Sequence, residues 1–153
     1  MDEKNITFVN ENHRFNLRVA ILIEYKDMVL LENSGNFWNM IGGRVHFGES
    51  TLEAAKRELK EELGISISNM ILINVSENFF SWMGYDQQEM LFIYKAKIDE
   101  SFECVKQEEF KCLDSDEMFK WHNKRDVERL ICKPEIIKSL VKDNKVLSHT
   151  IEK

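Results

Sequence analysis

Apolar residues gather along this chain in short blocks set off by turn-forming or charged residues. The block RVAILIEY (18–25) is β-branched and apolar and predicts a buried strand. Lys26 and Asp27 then turn the chain into MVLLEN (28–33), its predicted hairpin partner. NSGN (33–36) reads as a loop, FWNMI (37–41) as a short apolar segment leading into Gly42–Gly43, and RVHF (44–47) as a further short strand. Farther on, MILINVSENFFSWM (70–83) predicts one long or bent strand and GYDQQ (84–88) a turn. EMLFIYKAKI (89–98) is a second strong strand, expected to pair antiparallel with the first. Residues 99–117 are acidic and irregular and read as a loop, and FKWH (119–122) is ambiguous. RDVERLI (125–131) and PEIIKSLVKD (134–143) predict C-terminal helices, with Pro134 at a first-turn position, and the tail from Asn144 is expected to be loosely held.

Between the two groups of strands the period changes to that of a helix. Ser50 followed three residues later by Glu53 is a capping-box start, and Gly64 sits where a helix end requires positive φ. Leu52, Ala55, Leu59 and Leu63 recur at spacings of three and four and form one apolar stripe. Glu53, Lys56 and Lys60 lie on the side away from Glu61 and Glu62, while Glu58, Glu61 and Glu62 form a third stripe bordering the apolar one. Three like charges so placed cost a few tenths of a kcal/mol per pair. Two readings follow. The stripe is a solvated acidic face with Arg57 opposite Glu61 at i+4, or a divalent cation neutralises it through oxygen ligands. Strands, a helix, more strands and more helices make an α/β arrangement, an α+β sandwich with helices on a mixed sheet, and residues 1–153 read as a single domain.

Composition narrows the function classes. A net charge of −6 and a pI near 5.3 argue against binding nucleic-acid backbone. They leave open a small anionic substrate, because a bound metal inverts the local field. Three cysteines, at 104, 112 and 132, are an odd number without zinc-ligand spacing, so reduced thiols are expected. The four histidines, at 13, 46, 122 and 149, are scattered and read as surface or structural residues. The opening MDEKNITFVN is polar, not a signal peptide, and no apolar run approaches membrane-spanning length. A cytoplasmic protein acting away from membranes is the expectation.

The register from Gly43 carries the chemistry. Five residues lead to Glu49, seven more to Arg57-Glu58-Leu59, one to Glu61-Glu62, and one to Gly64-Ile65. This resembles the Nudix box, Gly-x5-Glu-x7-Arg-Glu-U-x-Glu-Glu-x-Gly-U with U aliphatic, and all nine fixed positions over 43–65 are filled. The Gly-Gly pair, the GES at 48–50 and the flanking strands also look like the Nudix (MutT-type) hydrolases, and the element order is in keeping with them over 14–142. The resemblance implies a Nudix fold and a Mg²⁺- or Mn²⁺-dependent pyrophosphohydrolase. Glu58, Glu61 and Glu62 match the family's metal-binding carboxylates, one of which can serve as base. Glu49 matches the first box glutamate near the metal, and Arg57 the arginine that orients a box glutamate. The carbonyl of Gly42 or Gly43 matches a further ligand. Many relatives carry proline before the Gly-Gly pair, where this chain has Ile41. Among catalytic groups we take Glu58 as first choice for the base, with Arg57 and Glu61 beside it. Glu89, Glu108 and Glu109 are downstream alternatives.

The implied substrate is a nucleoside diphosphate linked to another moiety, with (deoxy)nucleoside triphosphates preferred. ADP-ribose or another nucleotide sugar is the alternative. The proline that ADP-ribose-cleaving subfamilies carry about 16 residues past the box is absent, Pro134 being the only proline. Arg44, beside the Gly-Gly pair, can reach a phosphate. Trp38, Phe79, Phe80, Trp82 and Tyr85 can stack a base or belong to the core. Phe80, Trp82 and Glu89 are the residues we select for substrate contact. A non-catalytic nucleotide-sensing domain is the rival of another class, disfavoured by the intact glutamates. The family resemblance is also compatible with a homodimer.

Overall fold

The computed structural model describes residues 4–142 and 147–153. One strand organises it. β2 (His13–Tyr25) is apolar on both faces from Val19 to Ile23 and lies in the middle of the sheet. Along one edge it runs parallel to β7 (Tyr85–Lys97), from His13↔Asp86 to Glu24↔Lys97. Three short antiparallel strands share its other edge: β1 (Thr7–Asn10), β5 (Ile41–Arg44) and β3 (Met28–Asn33). β4 (Trp38–Asn39) pairs with β3. β6 (Met70–Trp82) is antiparallel to β7. β9 (Met118–Asn123) continues the sheet from β3, and β8 (Glu109–Lys111) closes that edge.

The alternation of side chains across β2 divides the core in two. Val19, Ile21 and Ile23 pack with Ala54, Ala55 and Leu59 of helix α1 (Thr51–Leu63). Ala20 and Leu22 pack on the other face with Val127, Ile137, Leu140 and Val141. The last three belong to the six-residue helix α2 (Ile137–Lys142). A mixed sheet between helices is the α+β sandwich expected. Helix α1 has the capping box that the sequence predicts: Glu53 N donates to Ser50 Oγ (3.1 Å) and Ser50 N to Glu53 Oε2 (2.6 Å). Gly64 ends it at φ 68°.

Several elements differ from expectation. Only Met83 and Gly84 form the β6–β7 turn, both at positive φ, a two-residue connection matched to strand twist, so residues 85–88 are strand. A bulge between Leu72 and Asn74 gives the bend in β6. The segment 99–117 holds a 3₁₀ turn (Glu103–Lys106) and β8, and FKWH lies within β9. RDVERLI falls on a 3₁₀ turn, Lys124–Arg129, capped where Asn123 Oδ1 accepts from Arg125 N (3.1 Å). The C-terminal helix begins at Ile137, three residues past Pro134. Residues 143–146 of the tail lie outside the described residues. The remainder is not loose: β10 (Ser148–Glu152) runs parallel to β6, where buried Asn74 donates to Ser148 Oγ (2.9 Å). Polar side-chain pairing holds this strand, which hydrophobic patterning could not reveal. The three cysteines are free, and among the described residues no helix is long and apolar enough to cross a membrane.

Candidate active site

The site is built where β5 passes under helix α1. A Cβ on Gly42 would lie 2.1 Å from the Val19 carbonyl oxygen, so the β2–β5 pairing itself requires glycine. A Cβ on Gly43 would lie 2.1 Å from Glu58 Oε1, so the Glu58 carboxylate rests against bare backbone. Ile41 is fully buried opposite Ile21 and anchors the entry to the loop by packing.

Arg57 gathers the acidic groups. Its Nη2 donates to Glu49 Oε1 (2.6 Å) and its Nε to Glu49 Oε2 (3.1 Å), a two-point grip. Nη1 reaches Glu58 Oε1 at 2.8 Å and Glu61 Oε2 at 3.3 Å. Nη2 also donates to the Arg44 carbonyl (2.9 Å), tying the helix to β5. These partners, Glu49 first, hold the guanidinium firmly protonated. Glu49 also accepts from His46 N at 2.8 Å. Arg57 foremost holds Glu49 below the usual carboxylate range. Both Glu49 oxygens are thereby engaged, and the residue acts here as the partner that orients Arg57.

The other acids are short of positive charge. Burial raises the pKa of Glu58, with Arg57 opposing the shift. Glu62 is pushed up to about 8, by burial first and then by Glu58, Asp114 and Glu117. Its Oε2 is buried without a hydrogen-bond partner. Glu32, at the end of the β3 apolar run, is pushed up to about 9 by burial and by Glu117. The structure does not bring Glu58, Glu61 and Glu62 onto one point. Glu58 and Glu61 turn to Arg57, while Glu62 lies with Cys112 Sγ and Asp114, their ligand atoms within 4.8 Å of one another. An orphaned carboxylate oxygen among buried acids suits one or more hard cations, so the donor set fits the metal that the box implies. Sequence reading missed Glu32, Asp114 and Glu117, which come from strands and loops far from the box. The one available signal was a charged residue inside the apolar block MVLLEN.

Arg44 and Glu89, two of the residues expected at the substrate, lie on a polar part of the sheet. Register places Arg18 opposite both Arg44 and Leu91, and Glu89 opposite both Asn16 and Asn78. Arg18, Arg44, Glu89 and Asn78 therefore share the α2 face of the sheet, beyond the apolar core. Arg18 Nη1 lies 3.5 Å from Glu89 Oε2, and Asn78 Nδ2 donates to Glu89 Oε1 (3.0 Å). Burial foremost lowers the Arg44 pKa, with Arg18 and Arg14 acting the same way. Phe80 and Trp82 are exposed on the β6–β7 hairpin, and Phe80 lines a groove of about 570 Å³ with Phe8, Phe79 and Arg14. Tyr85 is covered by the Arg14 guanidinium at 3.9 Å, and Trp38 packs edge-on to His122 at 4.4 Å. Glu108 and Glu109 are exposed at the β8 edge, and no contact joins them to the box among the described residues.

Comparison with known proteins agrees with this geometry. The NUDIX domain family model matches residues 14–142. An RNA pyrophosphohydrolase of Ruthia magnifica is 28% identical over 89 residues, which are 58% of this chain and 48% of that protein. The 8-oxo-dGDP phosphatase NUDT18 of Mus musculus is 31% identical over 72 residues, 44% of this chain and 22% of that protein. The chain thus spans about half, or less, of the length of these curated relatives. A MutT protein from Bacillus halodurans superposes with a TM-score of 0.68 at 25% identity, over 90% of this chain and 89% of that one. Filled box, sandwich fold and family match coincide, and the chain belongs to the NUDIX domain family.

Proposed function

We propose that this protein is a divalent-cation-dependent hydrolase of phosphoric anhydride bonds. Its substrate is a nucleoside diphosphate linked to another group, with (deoxy)nucleoside triphosphates as the preferred class. One observation carries the reading: the buried Glu58 carboxylate rests against Gly43, and Glu62, with Glu58, Asp114 and Glu117 near enough to raise its pKa and itself near enough to raise that of Glu32, has a buried, unpartnered oxygen. The site fits a cation and, through it, a polyphosphate. The curated relatives, named for pyrophosphohydrolase and nucleotide phosphatase activities, support the same class.

Glu58, Glu61 and Glu62, with a Gly42 or Gly43 carbonyl, would hold Mg²⁺ or Mn²⁺. Such an ion offsets the negative charge of the diphosphate and acidifies a bound water. The chain supplies the rest. Glu58, its pKa raised by burial, is suited to receive the proton of the attacking water. Water adds to phosphorus, the anhydride P–O bond breaks, and a nucleoside triphosphate yields monophosphate and pyrophosphate. Arg57 keeps Glu58 and Glu61 in register, and Glu49 keeps Arg57 in place. Arg44 and Arg18 present guanidinium groups toward the anionic substrate.

The test is phosphate release through coupled pyrophosphatase or phosphatase. It compares common and oxidised (deoxy)nucleoside triphosphates, ADP-ribose, sugar nucleotides and dinucleoside polyphosphates, with Mg²⁺ or Mn²⁺ and with EDTA. The expected result is cation-dependent turnover of nucleoside triphosphates that falls at least about 100-fold in Glu58→Gln. Preferred turnover of ADP-ribose would move the substrate assignment to nucleotide sugars. Nucleotide binding without turnover of any substrate would replace the hydrolase by a sensor.

A further inference from the structure

The α2 face of the sheet carries a line of buried polar residues beside its apolar core. Asn74, Ser76, Asn78 and Glu89 are each at least nine-tenths buried, beside Ile73, Leu91 and Ile93 of the core. Asn74 donates along one branch to Ser148 Oγ (2.9 Å), and a second branch runs in one direction toward Glu89. Asn74 Nδ2 donates to Thr150 Oγ1 (3.3 Å), Thr150 Oγ1 to Ser76 Oγ (3.2 Å), Ser76 Oγ to Asn78 Oδ1 (2.8 Å), and Asn78 Nδ2 to Glu89 Oε1 (3.0 Å). The line starts at the C-terminal strand β10 and ends on a carboxylate. Beyond it, Glu89 Oε2 faces Arg18, whose side chain is 41% exposed at the mouth of the face.

We infer that β10 is a support of the substrate site, holding the Glu89 carboxylate toward Arg18 through Thr150, Ser76 and Asn78. Apolar residues would fill the same space at less desolvation cost, and although Asn74 Oδ1 at the far end is buried without a partner, each step from Thr150 to Glu89 is hydrogen-bonded. Donors aligned head to tail polarise one another, and the end of the line is an anion that accepts. A carboxylate fixed in this way keeps one oxygen for Asn78 and leaves the other to the guanidinium. Two consequences follow. Arg18 has a set position from which to meet an anionic nucleotide, and Glu89 accepts an N–H of the ligand without rotating. Thr150 and Ser76 are thus positioning residues for substrate binding and take no part in bond cleavage. This inference rests on the proposal that a nucleotide occupies this face.

The test uses full-length Thr150→Val, Thr150→Ser and Glu89→Gln. Thr150→Val removes the hydroxyl at a half-exposed edge position and keeps the β-branched shape, and Thr150→Ser keeps the hydroxyl. With the preferred nucleotide, KM is expected to rise about fivefold in Thr150→Val, the order of one hydrogen bond, with kcat within twofold. Thr150→Ser is expected to restore KM. Adding Thr150→Val to Glu89→Gln is expected to raise KM no further, since both act through one carboxylate. Unchanged KM in Thr150→Val, or full additivity with Glu89→Gln, would overturn the inference. The ladder is also read without substrate, from the Asn78 side-chain amide signals by NMR. They should move in Thr150→Val and return in Thr150→Ser, and signals that stay put would equally overturn it. A wild-type protein that turns over no nucleotide while the amide signals respond as expected would count against the hydrolase reading and leave the ladder standing.

Discussion

Adjacent glycines at 42 and 43 should fail in different ways when each is changed to alanine. In Gly43→Ala the new Cβ would sit 2.1 Å from Glu58 Oε1, 2.5 Å from its Cδ and 2.9 Å from Oε2. Reaching ordinary contact requires the carboxylate to retreat by about 1 Å. A side-chain end can retreat, at a rotamer cost of about 1 kcal/mol, so the fold should survive. The retreat draws Glu58 from its 2.8 Å bond with Arg57 and from its place against the Gly43 backbone. A misplacement of about 1 Å at a reacting centre costs on the order of 100-fold in rate, or about 2.7 kcal/mol of barrier. In Gly42→Ala the Cβ meets the Val19 carbonyl oxygen at 2.1 Å and the Ala20 Cα at 2.9 Å. Backbone in the middle of the sheet cannot step aside, and overpacking there costs about 1–3 kcal/mol. For a domain of this size that lowers Tm by roughly 2–4 °C per kcal/mol. The assay is kcat by coupled phosphate release beside Tm by calorimetry. Gly43→Ala is expected to lose about 100-fold in kcat with little change in Tm, and Gly42→Ala to lose Tm first. A Gly43→Ala enzyme within threefold of wild type, or one melting as low as Gly42→Ala, would refute the reasoning.

Three further outcomes follow from the same contacts. Arg57→Ala removes the grip on Glu49, Glu58 and Glu61 and the tie to the Arg44 carbonyl, so kcat should fall at least about 100-fold. Arg57→Lys, a point charge without the fork, should recover less than a tenth of the loss in the phosphate-release assay. In metal-free protein, Glu62 and Glu32 titrate near 8 and 9 when folded but near the ordinary carboxylate value when unfolded. The native state therefore binds more protons between about pH 5 and 9, and its stability falls as pH rises through that window. Tm in EDTA should decline from pH 5 to 9 and the decline should shrink with saturating Mn²⁺, whereas a flat or rising EDTA curve would contradict the burial of these acids. Glu24, nearly fully buried, pairs with Lys95 (2.8 Å) and Lys124. Glu24→Gln leaves two ammonium groups facing a neutral amide and should lose about 3 kcal/mol in denaturant melts with kcat preserved.

The readable parts of this fold are those whose signal is local. Ser50, Glu53 and Gly64 define helix α1 because caps act within a single turn, and the structure reproduces them. The strand pair 18–25 and 28–33 is legible because β-branched runs flank a charged turn, and its hairpin register forms as expected. Local logic fails where tertiary pairing decides. β1 and the first residues of β2 are polar enough to look like loop, yet Thr7 is held to Asn16 through its hydroxyl (2.9 Å). PEIIKSLVKD has helical periodicity, but among its described residues the fully packed ones, Ile137, Leu140 and Val141, lie in a single short helix. β10 depends on Asn74, a residue in a distant strand.

The same distinction divides the site. The box is compact in sequence because one helix and one loop carry its carboxylates and the Gly43 backbone side by side, and helix geometry fixes their spacing. Arg57 is the hinge of that arrangement: it grips Glu49 before the helix, Glu58 and Glu61 on it, and the Arg44 carbonyl across the loop. The face proposed to meet the rest of the substrate has no such compactness. It is assembled by parity, one residue in two, from β2, β5, β6 and β7, and those residues stand tens of positions apart. Shifting any one strand by a single residue would turn its contribution to the other face. On that proposal, register determines substrate recognition as well as folding. The β10 strand adds a fixed edge to β6 and ties Asn78 into place, so the end of the chain helps to set where Glu89 points. On the proposed substrate face, such coupling would let chemistry be legible from 23 contiguous residues while specificity is spread over the sheet.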